Sequence, residues 1–180
     1  MYMYNILYIY IILRCFYRLG VFMESNSKNN KDLKKELIKI KLSGFDVIKE
    51  VFEKNAEFDI KKCELVNELS VSIKFGWDDE KHSLALRLEI CITRKVDKAD
   101  SDNSIQSRLE LVVINLFAHE EIDEFIKVIE KKESDDKESL YEVTNYLLEL
   151  SYPKVKEHIQ YIFKRSNMKI KLPESLKVGD

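Results

Sequence analysis

The sequence predicts an α+β fold: a four-stranded antiparallel sheet carrying two main helices on one face, with a short charged helix before them. Three observations lead there. Two runs of period-two alternation, Leu69 to Trp77 and Leu84 to Ile92, flank the polar turn Asp78 to Lys81, the pattern of a hairpin buried on one face. From Ile122 onward the apolar residues change to the α-helical spacing. Both prolines, Pro153 and Pro173, fall in the closing stretch Asn145 to Pro173, where Pro153 separates two amphipathic segments.

Composition bounds the rest. At 180 residues and 45% hydrophobic content the chain suffices for one domain with a real core, and 34% charged residues predict a water-facing surface. The four glycines stand singly, so no glycine-rich turn gathers backbone amides around a phosphate, and nucleotide-loop enzymes are excluded. Cys15, Cys63 and Cys91 lack CxxC spacing, which predicts a reducing, cytoplasmic setting and no metal or disulfide framework. A formal charge of −2 gives no electrostatic reason to bind nucleic acid.

Met1 to Phe22 is apolar and aromatic, with its first charge at Arg14. Its uncharged part is shorter than the roughly 20 residues of a membrane span, and its arginines follow the apolar run where a signal peptide has them first. Three readings stay open: an upstream start with Met23 as the working initiator, a membrane-surface tether, or an extra packed element. Glu24 to Lys35 reads as a flexible polar lead-in. The domain division is therefore an extension and lead-in over 1–36, whose place in or outside the fold stays open, and one folded domain over 37–176.

Within that domain the first strand alternates through Ile38, Ile40 and Leu42, then moves its apolar set to Phe45 and Val47 after Gly44, the mark of a bulge. Through Val51, Phe52 and Phe58 the alternation is lost, which predicts an irregular, core-covering segment. The hairpin points Leu69, Val71, Ile73, Phe75 and Trp77 inward, then Leu84, Leu86, Leu88, Ile90 and Ile92. The last strand buries Ile105, Leu109, Leu111 and Val113, but also places Val112, Ile114 and Leu116 on the face that should be wet. Either a bulge re-registers that strand or something covers that end of the sheet.

Ile122, Phe125, Ile126 and Ile129 predict a short helix within His119 to Lys132. In Ser139 to Leu150, Leu140, Tyr141, Val143, Tyr146, Leu147, Leu148 and Leu150 cover roughly 220° of the circumference at about 100° per residue. One sheet covers about half of that, so this helix is buried on two sides, by the sheet and by either the second helix or another subunit. Pro153 lacks the amide hydrogen of an interior turn but suits a first turn, so one helix is expected to end near Ser151 and a second to begin there. The second helix presents Val155, Ile159, Ile162 and Phe163 on one face.

No catalytic set or metal centre emerges. His82, His119 and His158 are isolated, and a polar helix start explains His119, Glu120 and Asp123 as well as a metal corner does. Cys91 belongs to a regular strand pattern, and Asp78 and Asp79 lie in a turn. The chain is expected to be a non-enzyme without cofactor.

One bend-rich strand, a three-strand meander and two helices hinged at an aromatic-proline step: this order resembles the SecB-type protein-export chaperones. The similarity is most specific in LSYPKVKEHIQYIFKRSNMKIKLP, which looks like the family's proline-containing helix junction, second helix and short apolar tail. The resemblance implies a homotetramer, a dimer of dimers, joined through the first strand and first helix, with Leu140, Val143, Leu147 and Leu148 as oligomer contacts. It implies unfolded polypeptides as clients, held in apolar grooves that map onto Phe45, Val47, Phe52, Phe58, Trp77, Tyr161, Ile162 and Met168. The charged run His119 to Glu138 replaces the family's glycine-rich segment. The outer sheet face is mixed, with Lys74, Arg87 and Arg108 beside Glu68, Glu89 and Glu110, where the export chaperones use an acidic face to dock the translocase motor. Clients are accordingly preproteins or, as in the branch tied to toxin-antitoxin systems, an antitoxin. The expected function is that of an ATP-independent holdase; the alternative is an oligomeric adaptor docking one folded partner.

Overall fold

A computed structural model describes residues 30–55, 65–78, 83–96, 105–133 and 137–178. The elements among them run α1 (Asn30–Leu37), β1 (Lys41–Lys54), β2 (Leu65–Asp78), β3 (Ser83–Val96), β4 (Ile105–Ala118), α2 (Ile122–Glu133) and α3 (Lys137–Arg165). The four strands form one antiparallel sheet in the order β1-β4-β3-β2, so β1 and β2 are its edges. Phe58, His82 and Met1 to Phe22 lie outside the described residues.

The predicted hairpin is the most regular part. β2 and β3 pair without interruption from Leu65 opposite Val96 to Asp78 opposite Ser83. Val71, Ile73 and Phe75 face the same side as Leu84, Leu86, Leu88, Ile90 and Ile92, and all of these are buried. Each such side chain contributes roughly 1.5–3 kcal/mol by leaving water, which makes this face the base of the core. β4 continues it with Leu109, Leu111, Val113 and Phe117, all fully buried. From Ser107 to Ala118 its alternation is unbroken, so Val112, Ile114 and Leu116 do stand on the second face, where they are half-buried. The register shifts lie between Leu42 and Gly44 and between Val47 and Lys49 in β1, and opposite Arg94 and Lys95 of β3, where β4 carries the extra residue Gln106 between Ile105 and Ser107.

The bulge expected at Gly44 is present, and its reason is steric. A Cβ at Gly44 would lie 3.2 Å from Cδ1 of Leu116, tighter than ordinary van der Waals contact, whereas Gly76 in β2 has nothing within 4 Å. The irregular segment expected after Val47 is instead strand. β1 absorbs a second bulge at Ile48 and goes on pairing with β4 until Lys54 meets Ser107. The lead-in also needs correction, because its end is α1, whose Leu33 and Leu37 are buried together with Ile40. Ile38, expected in the strand, sits in the turn after α1 and is 72% exposed.

The expected break at Pro153 does not occur: α3 is one helix of 29 residues with Pro153 inside it. Two features outweigh a penalty of about 3 kcal/mol for an interior proline. Leu148, Tyr152, Val155, Ile159 and Ile162 follow at spacings of 4, 3, 4 and 3, so the buried stripe crosses Pro153 in register. Pro153 and Glu149 both lie on the exposed side, where water can hydrate the Glu149 carbonyl that loses its N–H partner. On the buried side, Thr144 and Ser151 hydroxyls donate to the Leu140 and Leu147 carbonyls at 2.9 and 2.8 Å.

α3 ends in a Schellman-type cap. Asn167 takes the left-handed conformation (φ 56°), its N–H donates to the Lys164 carbonyl at 3.0 Å, and the Met168 N–H donates to the Phe163 carbonyl at 2.9 Å. Lys164 and Arg165 in the last turn complement the helix dipole. The cap turns the chain back, and residues 168–178 return along α3 without helix or strand, burying Met168, Leu172, Leu176 and Val178. This tail, with the sheet, resolves the wide apolar stripe of the first half of α3. Leu140, Val143, Leu147 and Leu148 are already covered within one chain, at 8%, 1%, 0% and 0% exposure. Among the described residues no helix is long and apolar enough to cross a membrane.

Candidate functional site

The second half of α3 lies over β1, and there the apolar surface is incompletely closed. On the core side of β1, Leu42, Phe45, Val47, Glu50 and Phe52 stand opposite Phe117, Asn115, Val113, Leu111 and Leu109 of β4. Phe52 packs edge-on against Phe163 with ring centroids 5.2 Å apart. Phe45 meets the ring of His158 at 6.0 Å and has the Lys154 ammonium 5.1 Å from its centroid. His158 Nε2 lies 2.8 Å from Glu50 Oε2, so a polar contact pins helix to strand between the two aromatic ones. Phe45 and Phe52 remain only half-buried.

From there exposed apolar side chains wrap the free edge. Val47 is 40% exposed on the core side, Ile48 57% at the bulge, and Val51 39% on the outer side, where it stands opposite Glu110. Half-buried Val112, Ile114 and Leu116 continue the strip onto the outer face of β4. An edge strand whose outer N–H and C=O groups meet no further strand among the described residues, and whose apolar side chains are exposed, is a template for another extended chain.

Beside this strip the outer face is mixed in charge, and the strand register pairs the charges. Lys49 reaches Glu110 at 2.6 Å and Arg108 the same carboxylate at 2.8 Å; Lys74 and Arg87 meet Glu89 at 2.9 and 3.1 Å, and Lys95 meets Glu68 at 2.8 Å. The Lys49 ammonium, then the Arg108 guanidinium, holds the Glu110 carboxyl below the usual carboxylate range, and Lys74 does the same for Glu89.

The expected client residues do not form one patch. Phe45, Val47 and Phe52 share the β1 edge. Trp77 lies at the end of β2, against Phe75 at 6.1 Å. It shares a row across the sheet with Leu84, Phe117 and Leu42, about 14 Å from β1 at roughly 4.8 Å per strand. Tyr161 is 55% exposed on α3 with Arg165 over its ring at 5.6 Å, while Ile162 and Met168 are buried in the core, at 5% and 7% exposure. Sequence spacing alone missed Ile48 and Val51 as exposed apolar positions, and it missed His158, Lys154 and Glu50 as partners of Phe45, because the contact joins segments about a hundred residues apart in sequence.

His119 has a structural explanation. Its side chain is fully buried, Nδ1 accepts from the Glu121 N–H at 3.0 Å, and Nε2 faces the Glu36 carbonyl at 3.2 Å. The ring stacks on Phe125 at 5.1 Å, and Lys39 bridges Glu36 and Glu121 at 3.0 Å each. Both ring nitrogens are thereby engaged in tying α1 to the β4–α2 turn.

The molecule is thus a four-stranded antiparallel sheet with one helix-covered face, a bulged edge strand and an apolar seam under a long helix. The fold is that of the SecB-like chaperones. The chain is similar to the Mycobacterium tuberculosis Rv1957 SecB-like chaperone, solved in complex with a ChAD peptide from the Rv1956 HigA1 antitoxin, with a TM-score of 0.55 and 10% sequence identity over 83% of this chain and 98% of that one. No family model and no curated protein matches the sequence.

Proposed function

We propose that the chain is an ATP-independent holdase, a non-enzymatic chaperone that keeps client polypeptides unfolded by apolar contact along the β1 edge and the seam under α3. The observation that carries this reading is the run Val47, Ile48 and Val51, exposed on a strand edge that pairs with no further strand among the described residues, beside half-buried Phe45 and Phe52. A client segment laid there gains main-chain hydrogen bonds from the edge and roughly 25 cal/mol for each Å² of apolar surface it covers. Support comes from the fold, shared with a chaperone captured on an antitoxin peptide. An antitoxin or a preprotein is therefore the client class, in the cytoplasm. The mixed, internally paired outer face favours the antitoxin over docking to the translocase motor.

In this reading the working unit is residues 37–176 with α1 added. Phe45, Val47 and Phe52 contact clients first, Tyr161 and Phe58 are further client contacts, and Trp77 serves a more distant subsite. Homo-oligomers assemble through the exposed β1 edge rather than through Leu140, Val143, Leu147 and Leu148, so client binding and assembly share a surface.

Purified full-length chain is expected to delay aggregation of a chemically unfolded client at stoichiometric ratio, without nucleotide. Val47→Ser with Val51→Ser should weaken that protection for every client tried. No protection by the wild-type chain at any ratio would sink the proposal, and loss of one folded partner with clients unaffected would establish the adaptor in its place.

A further inference from the structure

The tail that closes the first half of α3 is held largely by hydrogen bonds to its backbone. Residues 168–178 run back from the α3 cap, so that Pro173 reaches Tyr152 and Val178 reaches Asn145. Asn145 grips both polar groups of one residue: its Nδ2 donates to the Val178 carbonyl at 3.1 Å and its Oδ1 accepts from the Val178 N–H at 2.6 Å. The Tyr152 hydroxyl donates to the Pro173 carbonyl at 3.0 Å, and Arg94 of β3 donates to the Lys169 carbonyl at 2.9 Å. All these contacts run from a side chain of the body to backbone of the tail, and any extended polypeptide offers the same groups. Sequence enters through burial alone, with Met168, Leu172 and Leu176 recurring every fourth residue. The Lys156–Glu174 ion pair, with Glu174 almost fully exposed, contributes little.

Residues 168–178 carry neither helix nor strand, and such a segment opens at less cost than global unfolding. We propose that the track between α3 and the tail is a second polypeptide-binding surface, occupied at rest by the chain's own tail and, when the tail lifts, by an extended apolar segment of a client. Asn145, Tyr152 and Arg94 then hold the client backbone, and the pockets of Leu172, Leu176 and Val178 take client apolar side chains. The tail is in this sense an internal competitor that keeps the surface covered until a client displaces it. The proposal rests on the holdase reading given above. It adds to that reading a site away from the β1 edge, built on the other half of α3.

The test fastens the tail without disturbing the core. In the full-length chain with Cys15, Cys63 and Cys91 replaced by Ser, Lys156→Cys and Glu174→Cys are joined by a short bifunctional maleimide. Affinity for a fluorescent unfolded client is then read by anisotropy before and after joining, with the thermal midpoint checking that both forms are folded. A tail docked nine-tenths of the time reduces the apparent affinity of its track about tenfold, so Leu176→Ser with Val178→Ser, which frees the track, should strengthen client binding by up to about that factor, and fastening the tail should remove the track's share of client binding. Equal client affinity of the fastened and free forms overturns the tail proposal and leaves the holdase reading standing. Absence of client binding in both forms overturns the holdase reading, and the tail proposal falls with it.

Discussion

β1 and β2 are both edge strands of 14 residues, yet β2 pairs with β3 residue for residue, whereas β1 pairs with β4 through two bulges. Along β2 the inward side chains from Val71 to Phe75 are buried, and along β1 no side chain from Lys41 to Lys54 is. Each bulge moves the following residues to the other face of the sheet, so the apolar residues of β1 are divided between two faces and the rim. What the difference teaches is that β2 spends its apolar residues on the core of this chain. β1 holds its own at the surface, where another chain can use them.

The contrast can be broken most forcefully from the β2 side. Phe75→Ala is expected to cost about 3–5 kcal/mol, read from the denaturant midpoint, because it empties a buried site, whereas Val51→Ser in β1 should change stability by no more than about 0.5 kcal/mol. A comparable loss at Val51 would mean that β1 is core after all. Next comes the helix that lies over β1. Pro153→Ala restores an N–H for the Glu149 carbonyl and should raise stability by up to about 3 kcal/mol, since the stripe it interrupts is already in register. No gain would show that the helix is shaped around the proline.

A smaller effect is expected at Asn115, which faces Phe45 across the β1–β4 seam, fully buried, with Nδ2 donating to the Leu86 carbonyl at 3.3 Å and Oδ1 without a partner among the described residues. Asn115→Leu should stabilise by about 1 kcal/mol, because it removes an acceptor desolvated without compensation. The glycines give a finer comparison. Gly76→Ala, with open space around it, should gain about 0.5–1 kcal/mol from reduced chain entropy, and Gly44→Ala should forfeit most of that gain to the Leu116 contact.

The smallest effect is electrostatic. Lys49–Glu110 ties β1 to β4 and Lys74–Glu89 ties β2 to β3, and both carboxyls titrate below their ordinary range because of those ammonium groups. A carboxyl with depressed folded pKa contributes stability that is complete above its unfolded pKa and is lost as pH falls through the depressed folded value. An acid titration of the thermal midpoint should therefore decline below the ordinary carboxylate range. Lys49→Met should flatten that decline, and added salt should weaken it, as expected of surface pairs.

Much of this was readable from residues alone, and where reading failed the reason is identifiable. The hairpin was legible because period-two alternation with one buried face leaves no other register, and the Gly44 bulge because the apolar set changes parity there. The continuity of α3 was in principle legible too, since Leu148, Tyr152, Val155 and Ile159 keep helical spacing across Pro153. The local rule for proline pointed the other way and was outweighed by tertiary burial. The charged partners of the outer face were legible as residue types, and the register then paired them. At the candidate site the aromatic residues of β1 were legible as unusual, but their partners His158 and Lys154 were not.

By itself, then, the amino-acid sequence determined the fold class, the faces of β2, β3 and β4, the position of the first bulge and the apolar stripe of α3, because each depends on spacing along one segment. Tertiary structure decided how far β1 extends, whether Pro153 breaks the helix, what covers Leu140 to Leu148, and which apolar residues stay at the surface. Those outcomes depend on which segments meet. The covering of α3 by residues 168–178 in particular turns on contacts such as Asn145 with Val178, which join residues 33 apart in sequence and depend on the chain turning back at the helix cap.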